Sequence, residues 1–193
     1  MTCIVAVTDH RTVVMGADSA SAGEHDLHIR ATPKLFRAGP YGIGYTRSWR
    51  MGQILHHVTE LPEPPDTTDG DALEHFLVAE LIPAIRQSFH DHGFAKTSRV
   101  ARSADYTEEG QEVSGVFLVG LAGNLFEIRE DYQVVRPATP YAAVGAGAMT
   151  ALGALHVLHE HTDVELRARA EIALAAAETY TQSVRRPFHF LEL

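Results

Sequence analysis

The chain has 193 residues, 45% of them hydrophobic and 21% charged, which is ordinary globular composition and enough length to bury a core without staples or metals. Lys and Arg number 16 against 25 Asp and Glu, a formal net charge of −9, and that sign repels phosphate, excluding nucleic acid and an anionic membrane surface as expected partners. The one cysteine, Cys3, excludes an intramolecular disulfide and a cysteine-based zinc site.

The apolar start at 1–7 gives way at once to Asp9, His10 and Arg11, too soon for a secretion signal. No later run reaches the roughly 18 apolar residues of a membrane helix. The expectation is a cytoplasmic protein with one domain over 1–193. Residues 3–7 and 13–17 are apolar and β-branched, and the polar stretch 8–12 suits a hairpin between them. Leu27 with Ile29, and Leu35 with Phe36, mark two short strands separated by Pro33. A further strand over 41–45 follows the turn signal Gly39-Pro40.

The period then changes. Trp49, Met51, Ile54, Leu55 and Val58 share a helix face that Ser48 caps. Residues 61–70 carry Pro62, Pro64 and Pro65 and form a loop. Leu73, Phe76, Leu77, Leu81, Ile82, Ile85 and Phe89 recur at three- and four-residue steps and predict a helix over 71–92. Pro83 predicts a kink or break near its middle. The polar, aperiodic stretch 93–112 is expected to be an exposed, mobile loop. Strands follow at 113–121 and 125–128 around a Gly123-Asn124 turn, then at 132–135 and 141–144. A helix over 149–161 precedes an Ala-rich helix that Asp163 caps and that runs to Tyr180. Residues 188–193 close the chain as a last strand.

The order is strands, two helices, strands, two helices, without the strict alternation of a parallel doubly wound fold. It predicts an α+β, four-layer αββα sandwich: two antiparallel sheets face to face, with a helix pair on each outer face. Sheets buried on both sides explain why 3–7 and 117–119 are solidly apolar.

The candidate chemistry begins at Thr2. Removal of Met1 ahead of a small residue would leave a terminal threonine, which carries a hydroxyl nucleophile and a free α-amine together. Such an amine titrates near 7.7–8.0 in model compounds, so it can act as a base at cellular pH. Gly16-Ala17-Asp18-Ser19 ends the second strand with a carboxylate, and Lys34 opens another strand after equal 16-residue steps. Hairpin pairing can bring all three side chains to one sheet end. A Lys34 cation kept charged by Asp18 would favour the deprotonated Thr2 hydroxyl.

At this point the chain resembles the N-terminal-nucleophile hydrolases, specifically proteasome β-subunits and the bacterial peptidase HslV. The likeness runs through the Thr2 start, Gly16-Ala17-Asp18, Lys34-Leu35-Phe36, Gly42-Ile43-Gly44, Phe117-Leu118-Val119-Gly120, Gly123-Asn124-Leu125-Phe126 and Ala143-Val144-Gly145-Ala146-Gly147. The resemblance implies the αββα fold, a catalytic trio of Thr2, Asp18 and Lys34, and attack of Thr2 Oγ on a peptide carbonyl. It also implies backbone N–H donors for the carbonyl oxygen in the loop after 41–45, at Arg47 or Ser48. It implies no cofactor, self-assembly into stacked rings, a protein or peptide substrate, and an ATPase unfoldase as candidate partner. Where the family has Gly-Ser-Gly, this chain has Gly145-Ala146-Gly147, and Ala146 offers no hydroxyl at the amine. A water or Ser183 is the candidate substitute. The family's acid in the last helix region is not carried over, since 178–183 holds hydroxyls but no Asp.

Other residues have plainer readings. Cys3 is expected as a buried apolar residue of the first strand. His56 and His57 should diverge on their helix, and neither they, the His90/His92 pair nor the His156, His159, His161 group is expected to hold a functional metal. Residues 145–148 lack the full dinucleotide-loop pattern, because Thr150 stands where a glycine is needed. Three readings of function follow: a threonine endopeptidase of proteasome-like construction, a catalytically silent ring or scaffold protein, and an amidohydrolase acting on a small amide.

Overall fold

The computed structural model describes residues 2–23, 26–94, 96–97, 100–103, 106–108, 112–161 and 163–193. In chain order the elements are β1 (Cys3–Thr8), β2 (Val13–Ala17), β3 (Ala20–Ala22), β4 (Leu27–Ile29), β5 (Leu35–Ala38), β6 (Tyr41–Tyr45), α1 (Trp49–His57), α2 (Gly70–Phe76), a π-helical turn (Leu77–Leu81) and α3 (Ile82–Asp91). They continue with β7 (Lys96–Thr97), β8 (Val100–Ser103), β9 (Tyr106–Glu108), β10 (Glu112–Val113), β11 (Phe117–Leu121), β12 (Asn124–Ile128), β13 (Val134–Val135), β14 (Tyr141–Gly145), α4 (Ala148–His161), α5 (Leu166–Tyr180) and β15 (His189–Glu192).

The strands of one sheet lie in the order β14-β1-β2-β15, and those of a second in the order β13-β12-β11-β6-β5, with antiparallel pairing throughout. Alternation along β1 divides its side chains. Cys3, Val5 and Val7 join Ala151, Leu155, Ala173, Leu174 and Ala177 of α4 and α5. Ile4 and Ala6, with Met15, meet Leu35, Leu118 and Leu125 of the second sheet. On the far side of that sheet, Phe36, Ile43, Phe117 and Phe126 pack with Ile54, Leu55, Leu73, Ile85 and Phe89 of α1–α3 and Leu81 of the π-helical turn. The layers are therefore helix, sheet, sheet, helix, the αββα arrangement expected from the element order.

The two sheets approach closely because β6 and β11 turn glycines toward β1 and β2. A Cβ on Gly44 would lie 2.6 Å from Ile4 Cγ2, and one on Gly42 2.8 Å from Met15 Sδ. Larger residues there would wedge the sheets apart, so the Gly42-Ile43-Gly44 pattern sets the spacing of the whole sandwich.

Several local expectations are corrected. Pro83 does not break its helix: the chain widens into the π-helical turn just before it, and helical structure continues to Asp91. That widening shifts the hydrogen-bond ladder where a proline lacks its N–H. Asp163 does not cap α5; the helix starts at Leu166 behind Glu165, without a side-chain cap. The two-residue turn between β11 and β12 is Ala122-Gly123, with φ of +46° and +77°, one residue earlier than expected and of the left-handed kind that matches hairpin twist. The expected mobile loop over 93–112 falls partly outside the described residues; what is described there is β7 pairing with β10 and β8 with β9. No described helix is long and apolar enough to cross a membrane.

Gly44→Ala tests the sheet spacing. The added methyl presses on Ile4 in a packed layer, where overpacking costs about 1–3 kcal/mol. Urea unfolding should show that loss, whereas an unchanged midpoint would mean that the sheets have slack.

Candidate active site

Antiparallel pairing sets Ile4 opposite Ala17, which carries the start of β1 onto the end of β2. There the Cys3 N–H donates to Asp18 Oδ1 at 2.9 Å, and the Asp18 N–H donates back to the Cys3 carbonyl at 3.2 Å. Lys34 comes from elsewhere. It immediately precedes β5 in the facing sheet, and its Nζ donates to Asp18 Oδ1 at 2.7 Å. The cluster is thus assembled at one end of the sandwich from both sheets, rather than along one sheet as the hairpin argument had it. Thr2, Asp18 and Lys34 are all buried, at 4%, 0% and 1% exposure.

Asp18 is the hub. Its second oxygen accepts the N–H of Ala20 at 2.9 Å and of Arg185 at 3.3 Å. Four donors therefore surround one carboxylate. Lys34 fares differently. Burial pulls its ammonium below the ordinary lysine value of 10.5, and the charge and hydrogen bond of Asp18 offset only part of that. Cys3 is pushed up to about 12 by burial, with Asp18 adding to the effect and Lys34 opposing it. A thiol that weakly acidic is no nucleophile at neutral pH, and Cys3 packs in the layer under α4 and α5.

Thr2 and Lys34 line one small cavity together with Tyr45, Thr46, Arg47, Ser48 and Trp49. The loop leaving β6 forms its rim. Thr46 is tied to the Val116 carbonyl through both its N–H (3.0 Å) and its Oγ1 (3.1 Å). Arg47 has φ +70°, and the Ser48 N–H closes back on the Thr46 carbonyl at 2.9 Å, so Arg47 is the centre of a tight γ-turn. That is a strained conformation for a residue with a side chain, of the kind found where a site holds backbone in place. Ser48 then caps α1, its Oγ accepting from the Met51 N–H at 3.3 Å. Of the two expected backbone donors, Ser48 N–H is therefore engaged within the chain. The Arg47 N–H has no hydrogen-bond partner among the described residues. Its guanidinium is turned to Glu130.

The turn between β14 and α4 grips Thr2 from another side. Gly147 N–H donates to the Thr2 carbonyl at 3.3 Å. Gly145 has φ +99°, and a Cβ there would sit 2.2 Å from the same oxygen. Between them Ala146 is exposed and its side chain brings no donor. Ser183 Oγ is buried without a hydrogen-bond partner among the described residues, two positions before the Arg185 N–H that reaches Asp18. Arg185 and Trp49 were not singled out from the sequence as residues of this site. Only Trp49 carried a signal, as the one tryptophan of the chain just past the rim loop.

Among the described residues no group of three or more His, Cys, Asp and Glu is placed to hold a metal. His56 and His57 do not diverge; their rings stack at 4.3 Å, with His56 also on Phe36 at 4.4 Å. A cleft of about 880 Å³ between Arg11, Arg37, Pro64 and Leu193 is far larger than the Thr2 cavity but contains none of the Asp18 cluster.

No family model and no curated protein matches the sequence. Solved structures do match. The BPH protein of Thiobacillus denitrificans, in complex with epoxomicin, aligns with TM-score 0.77 at 18% identity over 100% of this chain and 98% of that one. HslV of Trypanosoma brucei aligns with TM-score 0.66 at 20% identity over 100% and 99%. A Gly-1 mutant of Anbu from Hyphomicrobium sp. strain MC1 aligns with TM-score 0.62 at 16% identity over 98% and 80%. The chain shares the fold of N-terminal-nucleophile hydrolases of the HslV and proteasome type.

The two halves of the ion pair should not be equivalent. Asp18→Ala leaves Lys34 buried without its counter-charge and three N–H groups without an acceptor, and should destabilise by about 3–5 kcal/mol in denaturant unfolding. Lys34→Met leaves Asp18 with those three donors and an apolar chain of similar length, so it should cost less. Equal losses would show that Asp18 does not organise the site.

Proposed function

We propose that this chain is a threonine-type peptidase subunit of a self-compartmentalising, proteasome-like complex, acting through Thr2 once Met1 is removed. One observation carries the reading: Thr2 and Lys34 border the same cavity while Lys34 is bonded to Asp18, and all three are buried in an N-terminal-nucleophile fold. In this reading Thr2 Oγ attacks the peptide carbonyl, with its proton drawn toward the Thr2 α-amine and the Lys34 charge lowering the cost of the developing alkoxide. The Arg47 N–H faces the oxygen of the tetrahedral intermediate, a donor of the kind whose loss typically costs about 10²–10³ in rate. The amine then gives its proton to the leaving nitrogen, and water hydrolyses the acyl ester with the amine as base.

Ala146 supplies no hydroxyl to that amine, and the unpartnered Ser183 Oγ or a water takes the role. Substrate is unfolded protein or peptide, and assembly is with further copies of the same chain in a ring, fed by an ATPase unfoldase. No cofactor enters the scheme. The single cysteine, a buried free thiol, accords with a cytoplasmic setting.

A second reading, a catalytically silent ring protein, is favoured by two specific observations, the bare Ala146 and the side chain on the strained Arg47 turn. A chain that keeps Met1 would support it, since a blocked Thr2 has no free amine. Hydrolysis of a small amide but not of denatured casein would instead point to an amidohydrolase.

Because a related fold is solved with epoxomicin, a peptide epoxyketone is the appropriate probe. It should label the wild-type chain and leave Thr2→Ala unlabelled; equal labelling of both would exclude Thr2 as nucleophile. The rate should also fall on the alkaline side, as Lys34 loses its proton, at a pH below the ordinary lysine value of 10.5, because burial lowers that group in the folded protein. An alkaline limb at or above 10.5 would mean that Lys34 is not the group sensed.

A further inference from the structure

The rim residue that offers a free backbone N–H also has the costliest backbone on the rim. Arg47 has φ +70°, at the centre of the γ-turn that the Ser48 N–H closes on the Thr46 carbonyl. A residue with a side chain keeps such a conformation only where its surroundings determine it. The ends of the turn are fixed, Thr46 by its two bonds to Val116 and Ser48 by its cap on α1. The centre is held by the Arg47 side chain itself, whose guanidinium lies 2.5 Å from Glu130 Oε1.

Strand pairing brings Glu130 to this place. Tyr45 stands opposite Phe117 and Phe117 opposite Ile128, so the exits of β6 and β12 flank the entry to β11. Glu130 follows β12 by two residues, and its carbonyl accepts the Ser114 N–H at 2.7 Å. Ser114 belongs to the same short segment, 114–116, whose Val116 carbonyl takes both Thr46 donors. Between them Gly115 passes so close to the rim that a Cβ there would lie 2.6 Å from the Thr46 carbonyl oxygen. Glu130 and the Arg47 turn therefore hang on one stretch of backbone, and their ion pair closes the circuit.

We infer that Glu130 is a positioning residue for the proposed oxyanion donor: through the Arg47 side chain, its carboxylate holds the turn that presents the Arg47 N–H. The inference rests on the reading of Thr2 as nucleophile, and adds to it an acid that touches neither the substrate nor the Asp18 cluster. The side chains of the pair are 61% and 41% exposed, and an exposed pair contributes little, so its loss weakens the donor without abolishing it. A donor that acts on charge developing in the transition state changes kcat and leaves KM alone, which separates this role from substrate binding.

A double-mutant cycle on cleavage of a fluorogenic peptide is the test. Glu130→Gln should lower kcat about two- to fivefold with KM unchanged, the range open to an exposed ion pair. Arg47→Gly puts at the centre of the turn a residue that adopts positive φ without a brace. In that background the same Glu130→Gln change should cost nothing in kcat. No loss in the wild-type background, an equal loss in both backgrounds, or a change confined to KM overturns the role given to Glu130. With Thr2 labelled by an epoxyketone in every variant, such a result leaves the nucleophile reading standing. A wild-type chain that neither cleaves the peptide nor takes up the label overturns that reading, and this inference with it.

Discussion

The buried pairing of Lys34 with Asp18 is the interaction on which the rest of the structure depends. It joins the ends of two different sheets, because Asp18 closes β2 and Lys34 opens β5. Burying two charges is expensive, and the Coulomb attraction between them repays it only where the remaining lone pairs are also satisfied. Here they are: Cys3, Ala20 and Arg185 each donate a backbone N–H to the same carboxylate. The start of β1, the exit from β2 and the segment after α5 are thereby fixed to one point. Any displacement of these three segments would leave a charge or an N–H unpaired in a dry interior, so the position of Thr2 is as rigid as the pair itself.

A second constraint acts on Thr2 from the backbone. Gly145 and Gly147 close around its carbonyl, and neither position leaves space for a side chain. On the opposite rim Arg47 holds a γ-turn that a glycine would adopt without strain. The chain thus keeps glycine where Thr2 must be approached and gives it up where the rim is exposed. An Arg47 side chain at that position finds an exposed partner in Glu130, outside the cavity.

Much of this was legible in the residues. Period-two and period-three-to-four patterns located the sheets and helices, and the solidly apolar runs at 3–7 and 117–119 announced sheets buried on both faces. Thr2, Asp18 and Lys34 stood out through the hydroxyl and amine a terminal threonine would carry, their equal 16-residue steps and the family resemblance. What stayed hidden depends on tertiary geometry. Ala20–Ala22 has no β-branched signal and becomes a strand only by pairing with Leu27–Ile29. The sheet to which Lys34 belongs follows from β5 pairing with β6, a fact no spacing reports. The occupation of the Ser48 N–H, and hence the role left to Arg47, follows from one positive φ. Arg185 contributes only its backbone, which carries no residue-type signal at all. His56 and His57 were read from ideal helix angles, but ring stacking on Phe36 overrides that geometry.

The most direct test of the central claim is the mass of the N-terminal proteolytic fragment after reaction with a peptide epoxyketone. The account predicts a fragment that begins at Thr2, lacks Met1 and carries one equivalent of inhibitor bound through both the hydroxyl and the α-amine of Thr2. A fragment that retains Met1 and carries no adduct would contradict it.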